Sequence, residues 1–382
     1  MSFDFDTPVE RRGTDSLKWA RYAERDILPL WVADTDVRSS PAVIDALKER
    51  AEHGVFGYGE PPPTLVETTL ETCATEWNWR VEPAWLVWLP GLVSGINVTC
   101  RAVGGSGDGV ASLTPVYPPF LKAPALMDRR LVTIPLGGDN VLGWSVDRRR
   151  LEAGLAEGGS LLLWCHPHNP VGRAWRREEL ESVAEACLAN RTIICSDEIH
   201  SQLILAEGVQ HVPMAALGAE VAARTITLLA PSKAFNVAGL SCSLAVIPDD
   251  GLRRRFRRAM AGIVPSVNLM GYVAALASWR DSGEWLAAQI DYLRGNRDYL
   301  AACVDSLEGV TMAPVEATYL AWLDVTALDL ADPVAHFEEH GLGFSDGKEF
   351  AGPGYVRFNF GCSRATLEEA CRRLARAVAA AA

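Results

Sequence analysis

No stretch of the chain is apolar for long enough to span a membrane, and its nine cysteines, an odd number, include no Cys-x-x-Cys pair. The first absence argues against an integral membrane protein; the second argues against a zinc ribbon or a disulfide framework and suits reduced, mostly buried thiols. Positive charge is in deficit, with 36 Lys and Arg against 48 Asp and Glu for a net charge of −12. That balance disfavours nucleic acid or an anionic membrane as partner. The one basic cluster, Arg253 to Arg258, is interleaved by Phe256 and followed by Met260, the pattern of a solvated face on an amphipathic helix. Met1-Ser2-Phe3-Asp4-Phe5-Asp6 has neither the basic start nor the apolar core of a secretory leader, so a cytoplasmic location is expected. Internal repeats, low-complexity tracts and long linkers are missing too, apart from an alanine-rich stretch from Ala375 to Ala382.

What remains is a chain of 382 residues, 49% of them hydrophobic, enough to bury a large core in two domains. Strands and helices alternate from about residue 85 to 247, the pattern of a mostly parallel sheet covered on both faces. The strands expected are Trp85 to Leu89, Gly109 to Leu113, Arg130 to Pro135, Ser160 to Cys165, Thr192 to Ser196, Thr225 to Leu229 and Ser241 to Ile247. Beyond them the sequence predicts long helices from Gly251 to about Leu307, then strands at Tyr319 to Asp324 and Tyr355 to Phe360. This second part reads as a small α+β domain, completed by the first forty residues, which look irregular.

Several polar residues stand where apolar strands end. Leu228-Leu229-Ala230-Pro231-Ser232-Lys233 delivers a lone lysine to a strand terminus. It is either an ordinary loop lysine or, in apolar surroundings that lower its pKa, an amine nucleophile for an aldehyde cofactor. Asp197 ends the strand before it, as an N-cap or turn carboxylate or as partner to a protonated ring nitrogen. Asn169 sits between Pro167 and Pro170, its amide presented with little rotational freedom. The neighbouring His166 and His168 have no third ligand at a useful spacing, so a metal site is not expected. Tyr117, ringed by Pro115, Pro118 and Pro119, is either a core residue or a rigid aromatic for stacking on a planar ring. Pro90-Gly91 turns a strand into a helix whose free amides suit a phosphate. Tyr58, in the glycine-flanked Gly54-Val55-Phe56-Gly57-Tyr58-Gly59, belongs to a packed turn or reaches a ligand. Arg357 lies between Val356 and Phe358 and needs an acidic partner, a structural carboxylate or that of a substrate.

The combination Asn169-Pro170-x-Gly172, Asp197-Glu198, Ser232-Lys233 and Arg357, in this order, resembles the fold-type I pyridoxal 5′-phosphate enzymes, the aspartate aminotransferase superfamily, over nearly the whole chain. Trp31-Val32-Ala33-Asp34, Thr114 to Phe120, Pro167 to Arg173, Asp197-Glu198-Ile199-His200 and Ala230 to Leu240 look like the cystathionine β-lyase branch related to maltose-regulon modulators. The resemblance implies an α/β fold: a large domain, residues 41–284, with a mostly parallel seven-stranded sheet covered by helices, and a small α+β domain from both termini, residues 1–40 and 285–382. It implies that Lys233 holds the cofactor and then acts as base, that Asp197 pairs with the pyridine nitrogen, and that Asn169 and His200 lie on the phenolic oxygen side. Tyr117 would stack on the ring, and the amides of Leu92 and Val93 with the Ser232 hydroxyl would hold the phosphate, joined by Tyr58 from the second subunit of a homodimer. Arg357, with Asn169 and Asp34, would bind the amino-acid substrate.

Departures also carry information. Aminotransferases of this fold usually have tyrosine where His200 stands, serine where Ala230 stands and a phosphate-binding arginine where Ser241 stands, and all three losses match the lyase branch. That branch commonly has methionine and phenylalanine where this chain has Thr35 and Val37, near the substrate entrance, so an unusual leaving group is expected. The implied reaction is β-elimination from an L-cysteine S-conjugate to thiol, pyruvate and ammonia. The alternatives are transamination or another amino-acid reaction such as oxidative deamination; a cofactor-binding regulator is a third class, which has no need of Lys233, Asp197, Asn169 and Arg357 together.

Overall fold

Leucine and β-branched residues dominate the segments that build the main sheet, and in most of them both faces are buried, as a sheet sandwiched between helices requires. The computed structural model describes residues 3–381; Met1, Ser2 and Ala382, assigned above to the small domain, lie outside the described residues. Strands β1 (Leu86–Leu89), β2 (Gly109–Thr114), β3 (Arg130–Pro135), β4 (Gly159–Cys165), β5 (Ile193–Asp197), β6 (Thr225–Leu229) and β7 (Ser243–Val246) form one seven-stranded sheet in the order β1-β7-β6-β5-β4-β2-β3. Only β7 runs against its neighbours β1 and β6; the other pairings are parallel. The carboxyl ends of β1, β2, β4, β5 and β6 therefore open on one side of the sheet, where open α/β sheets bind ligands.

Helices cover both faces. Among them are α1 (Pro41–His53), α2 (Pro63–Trp77), α3 (Leu92–Ala102), α4 (Pro118–Leu126), α5 (Arg148–Ala156), α6 (Arg177–Ala189) and α7 (Asp250–Met260). The helical stretch expected from Gly251 to Leu307 is broken into α7, α8 (Leu269–Asp281) and α9 (Gly283–Asp305). Asn268 restarts it by accepting a hydrogen bond from the Gly271 amide, and Ser282 interrupts it again. A second sheet holds β8 (Thr311–Met312), β9 (Leu320–Asp324), β10 (Ser345–Asp346) and β11 (Tyr355–Asn359), all antiparallel in the order β10-β11-β9-β8 and flanked by α10 (Pro333–Glu339) and α11 (Arg364–Ala381).

The first forty residues are more ordered than their composition suggested. Leu17–Ala20 is a helical turn, and Leu28–Pro29 pairs in parallel with Leu342–Gly343. The apolar core under the second sheet includes Leu30, Phe235, Trp285, Tyr319, Leu323, Phe344 and Phe358, and so gathers residues from both ends of the chain and from the lysine turn. Burying each such large side chain stabilises by about 1.5–3 kcal/mol, which fixes the N-terminal segment against the lysine turn and the second sheet.

Candidate active site

The carboxyl ends of the parallel strands enclose a cavity of about 220 Å³. Its wall takes Gly91, Leu92, Val93 and Ser94 after β1, Tyr117 after β2, Asn169 after β4, Asp197, Ile199 and His200 after β5, and Ser232 and Lys233 after β6. Most of the predicted site residues thus converge by sheet topology alone. Three do not line the cavity. Arg357 stands behind it, bonded to Asn169. Asp34 faces a neighbouring cavity and is held by Arg11 at 2.8 Å and Lys18 at 3.6 Å. Tyr58 is fully exposed on the segment after α1.

The lysine turn is tightly tied. Phe235 and Val237 amides bond back to the Pro231 and Ser232 carbonyls, and Gln289 donates to the Ala234 carbonyl at 2.8 Å. Asn236, at φ 55°, donates to the carbonyls of Thr35 and Val37 and accepts from the Thr35 amide, pinning the turn to the N-terminal segment. Lys233 Nζ donates to the Ala33 carbonyl at 2.5 Å. Loss of solvation pushes its ammonium down to about 8; Asp34 and Asp197 oppose that shift and Arg357 adds to it. A useful fraction of the amine is therefore free near neutral pH.

Asp197 is buried, takes only the Ile199 amide at 3.2 Å and makes no ion pair among the described residues. Burial lifts its carboxyl to about 7, with Glu198 pushing the same way and Lys233 opposing. His200 is also buried, with no hydrogen bond to Nδ1, and desolvation together with Lys233 and Arg357 holds it down to about 3, so its ring is neutral. Tyr117 keeps its proton for the same reason, burial. Arg357 donates to Asn169 Oδ1 at 3.1 Å, the Trp31 carbonyl at 2.6 Å and Ser345 Oγ at 3.3 Å, over the Phe350 ring. Desolvation pushes its guanidinium down to about 10, which leaves it charged, and its Nε has no partner. With Asn169 Oδ1 occupied, the amide's NH₂ end is left for the cavity.

The donor set fits a phosphorylated pyridine aldehyde. A buried carboxylate without a cation suits a protonated ring nitrogen, and a desolvated amine suits the aldehyde. At the other end, the amides of Leu92, Val93 and Ser94 precede the first bond of α3, from Gly95 to the Gly91 carbonyl. A Cβ built on Gly91 meets nothing within 4 Å, so the cradle is open where a phosphate would sit. On the far wall, Gly172 at φ +72° accepts the Glu316 and Ala317 amides, locking the Asn169 loop to the second sheet.

Sequence reasoning missed Tyr319, Asn359, Ser345 and the backbone of Trp31 to Asp34. The Val32 and Asp34 carbonyls accept from Asn359 Nδ2, and the Ala33 carbonyl accepts from Tyr319 as well as Lys233. Asn359 was within reach, since residues two apart on a strand share a face and Arg357 was already singled out.

A seven-stranded, mostly parallel sheet with these groups at its carboxyl edge defines a pyridoxal phosphate enzyme, and residues 25–374 match the aminotransferase class I and II family, to which the chain belongs. Among particular proteins, the chain is 35% identical to cystathionine beta-lyase PatB of Bacillus subtilis over 97% of its own length and 98% of the relative's. The crystal structure of OvoB superposes with a TM-score of 0.96 at 48% identity, covering 98% of this chain and 99% of that one. Cystalysin from Treponema denticola, whose structure contains pyridoxal 5′-phosphate, gives a TM-score of 0.95 at 29% identity with full coverage of both, 100% and 100%. The cofactor of this chain is accordingly pyridoxal 5′-phosphate.

Proposed function

We propose that the chain is a carbon–sulfur β-lyase that acts on L-cystathionine or another L-cysteine S-conjugate, releasing a thiol and an aminoacrylate that one water converts to pyruvate and ammonia. The observation that carries this reading is likeness over nearly the full length to a named cystathionine β-lyase, combined with a cavity that offers a single amine base. When bound, the cofactor supplies an electron sink that lets an amino acid lose its α-proton. In this reading the protein's own groups do the rest. Arg357 takes the substrate carboxylate on its fork, with Asn169 beside it and Asp34 further out. The free amine of Lys233 takes the α-proton, and the resulting ammonium returns it to the departing sulfur one carbon away, so a single group serves both steps. Asp197 would hold the ring nitrogen's proton, Tyr117 would stack on the ring, His200 and Asn169 would serve its oxygen side, and Leu92, Val93 and Ser232 would hold the phosphate.

The same reading takes the chain to be cytoplasmic and homodimeric, with Tyr58 reaching the partner's phosphate. It divides the chain into a cofactor-binding domain, residues 41–284, and a small domain from both termini. Among the described residues no helix is long and apolar enough to cross a membrane.

The test is a product assay on L-cystathionine and a small panel of cysteine S-conjugates without added keto acid. Equal release of thiol, pyruvate and ammonia supports the lyase. Products that need a keto acid and come without thiol would make the chain an aminotransferase, and no near-ultraviolet to violet absorbance after cofactor addition would sink the enzyme reading altogether.

A further inference from the structure

The Ala33 carbonyl accepts two hydrogen bonds, from Lys233 Nζ at 2.5 Å and from the Tyr319 hydroxyl at 3.0 Å. On either side, the Val32 and Asp34 carbonyls are clamped by Asn359 and the Trp31 carbonyl by Arg357 and Ser345, so the Ala33 peptide has little freedom to turn. Tyr319 itself is 1% exposed, with its ring edge-on to His200 at 6.3 Å between centroids. Burial keeps its phenol protonated, with Asp34 and Asp36 pushing the same way and Arg357 opposing, so it acts only as a donor to Ala33.

Whenever Lys233 is not bonded to the cofactor, its amine needs a seat within reach of the substrate. We propose that Tyr319 is a positioning residue for Lys233, its hydroxyl fixing the Ala33 carbonyl as that seat and competing with the amine for it. The inference rests on Lys233 being the amine that captures the cofactor. A carbonyl oxygen that already accepts a phenol proton holds a second donor less strongly, and it holds an ammonium less strongly than it would alone. Tyr319 therefore keeps the amine in its neutral, reactive form against the pull of Asp34 and Asp197, on the same side of the balance as Arg357; His200, being neutral, adds no charge.

The test uses Tyr319→Phe in the full-length chain, a substitution that leaves Ala33 with its lysine partner. Its main readout is the pH dependence of the rate at which the cofactor-stripped chain regains its near-ultraviolet to violet absorbance when pyridoxal 5′-phosphate is added. The wild-type rate should rise through an inflection near the amine's value of about 8. In Y319F the inflection should move upward and capture at pH 7 should slow by about 3- to 10-fold, with the absorbance maximum of the loaded enzyme unchanged. An unmoved or lowered inflection in a folded Y319F chain would overturn the proposal, even with turnover reduced. A chain carrying 3-fluorotyrosine at position 319 alone, whose phenol is the stronger donor, should move the inflection downward, and an upward movement would overturn the proposal independently of how Y319F folds. Lys233→Ala separates the two ideas: wild-type capture by that variant would refute the role of Lys233 itself.

Discussion

Replacing Asp197 by asparagine should separate the stability of the chain from its grip on the cofactor. Burial lifts the Asp197 carboxyl from 3.8 to about 7 in the folded chain, so folding disfavours the ionised form. Below about pH 4 the group is protonated in both states and costs nothing; the cost grows as pH rises and is complete above about pH 7, where both states are ionised. At about 1.4 kcal/mol per pKa unit, the complete cost is on the order of 2–4 kcal/mol, and at pH 5 less than half of that. An asparagine of the same shape carries none of it. Urea unfolding of the cofactor-free chain at pH 5 and pH 8 is the assay: D197N should be the more stable protein at pH 8, and its advantage should shrink by half or more at pH 5. His166, His168, His200 and His211, pushed down to about 3 or 4, titrate in both chains and cancel in the comparison, whereas the repulsion from Glu198 is part of the cost that D197N removes. Adding cofactor should reverse the order, because a cation on the ring nitrogen offsets the buried charge only where the aspartate is present. A D197N chain with no stability advantage at pH 8, or with the same advantage at both pH values, would refute the reasoning.

Other outcomes follow from the same geometry. Arg357→Lys keeps the charge but loses the fork, so KM for the amino acid should rise about 10- to 100-fold with a smaller change in kcat; steady-state kinetics with an unchanged KM would remove the arginine from substrate binding. Gly91→Ala should fold normally, since its φ of 177° is extended backbone and the added Cβ meets nothing within 4 Å. That Cβ would nevertheless stand in the phosphate cradle, and an absorbance titration should show cofactor affinity weakened about tenfold or more. Lys233→Ala should retain no cofactor after borohydride reduction, as read by intact mass, and should lose turnover; a retained adduct would place the reactive amine elsewhere.

Much of this was visible in the sequence for one physical reason. A lysine, an aspartate or an arginine at or within an apolar strand loses solvation, and such a residue calls for a partner wherever it occurs, as Lys233, Asp197 and Arg357 do. The β/α alternation also placed the seven strands of the main sheet closely, because buried parallel strands read as continuous apolar runs. The rest depends on contacts that residue type does not encode. A backbone carbonyl such as that of Ala33 has no signature of its own, and two-residue strands such as Leu28–Pro29 and Ser345–Asp346 are too short for any period to show. Tyr319 read as the first residue of an apolar strand; only the fold reveals that its hydroxyl meets the lysine's acceptor. Asp34 is placed by Arg11 and Lys18, a charge cluster spread over residues 11 to 36 that no spacing rule joins.

The clamps on Trp31 to Asp34 also set an order of events during synthesis. The carbonyls leave the ribosome early, while the groups that hold them, Ser345, Arg357 and Asn359, come 314 to 327 positions later. Until the last strand has emerged, the early segment has Asn236 of the lysine turn to hold it but not these clamps, so the seat of Lys233 is not yet fixed. A nascent chain can thus complete much of its main sheet, and bury the apolar surface of β1 to β7, before the clamps that fix the seat of its lysine are made.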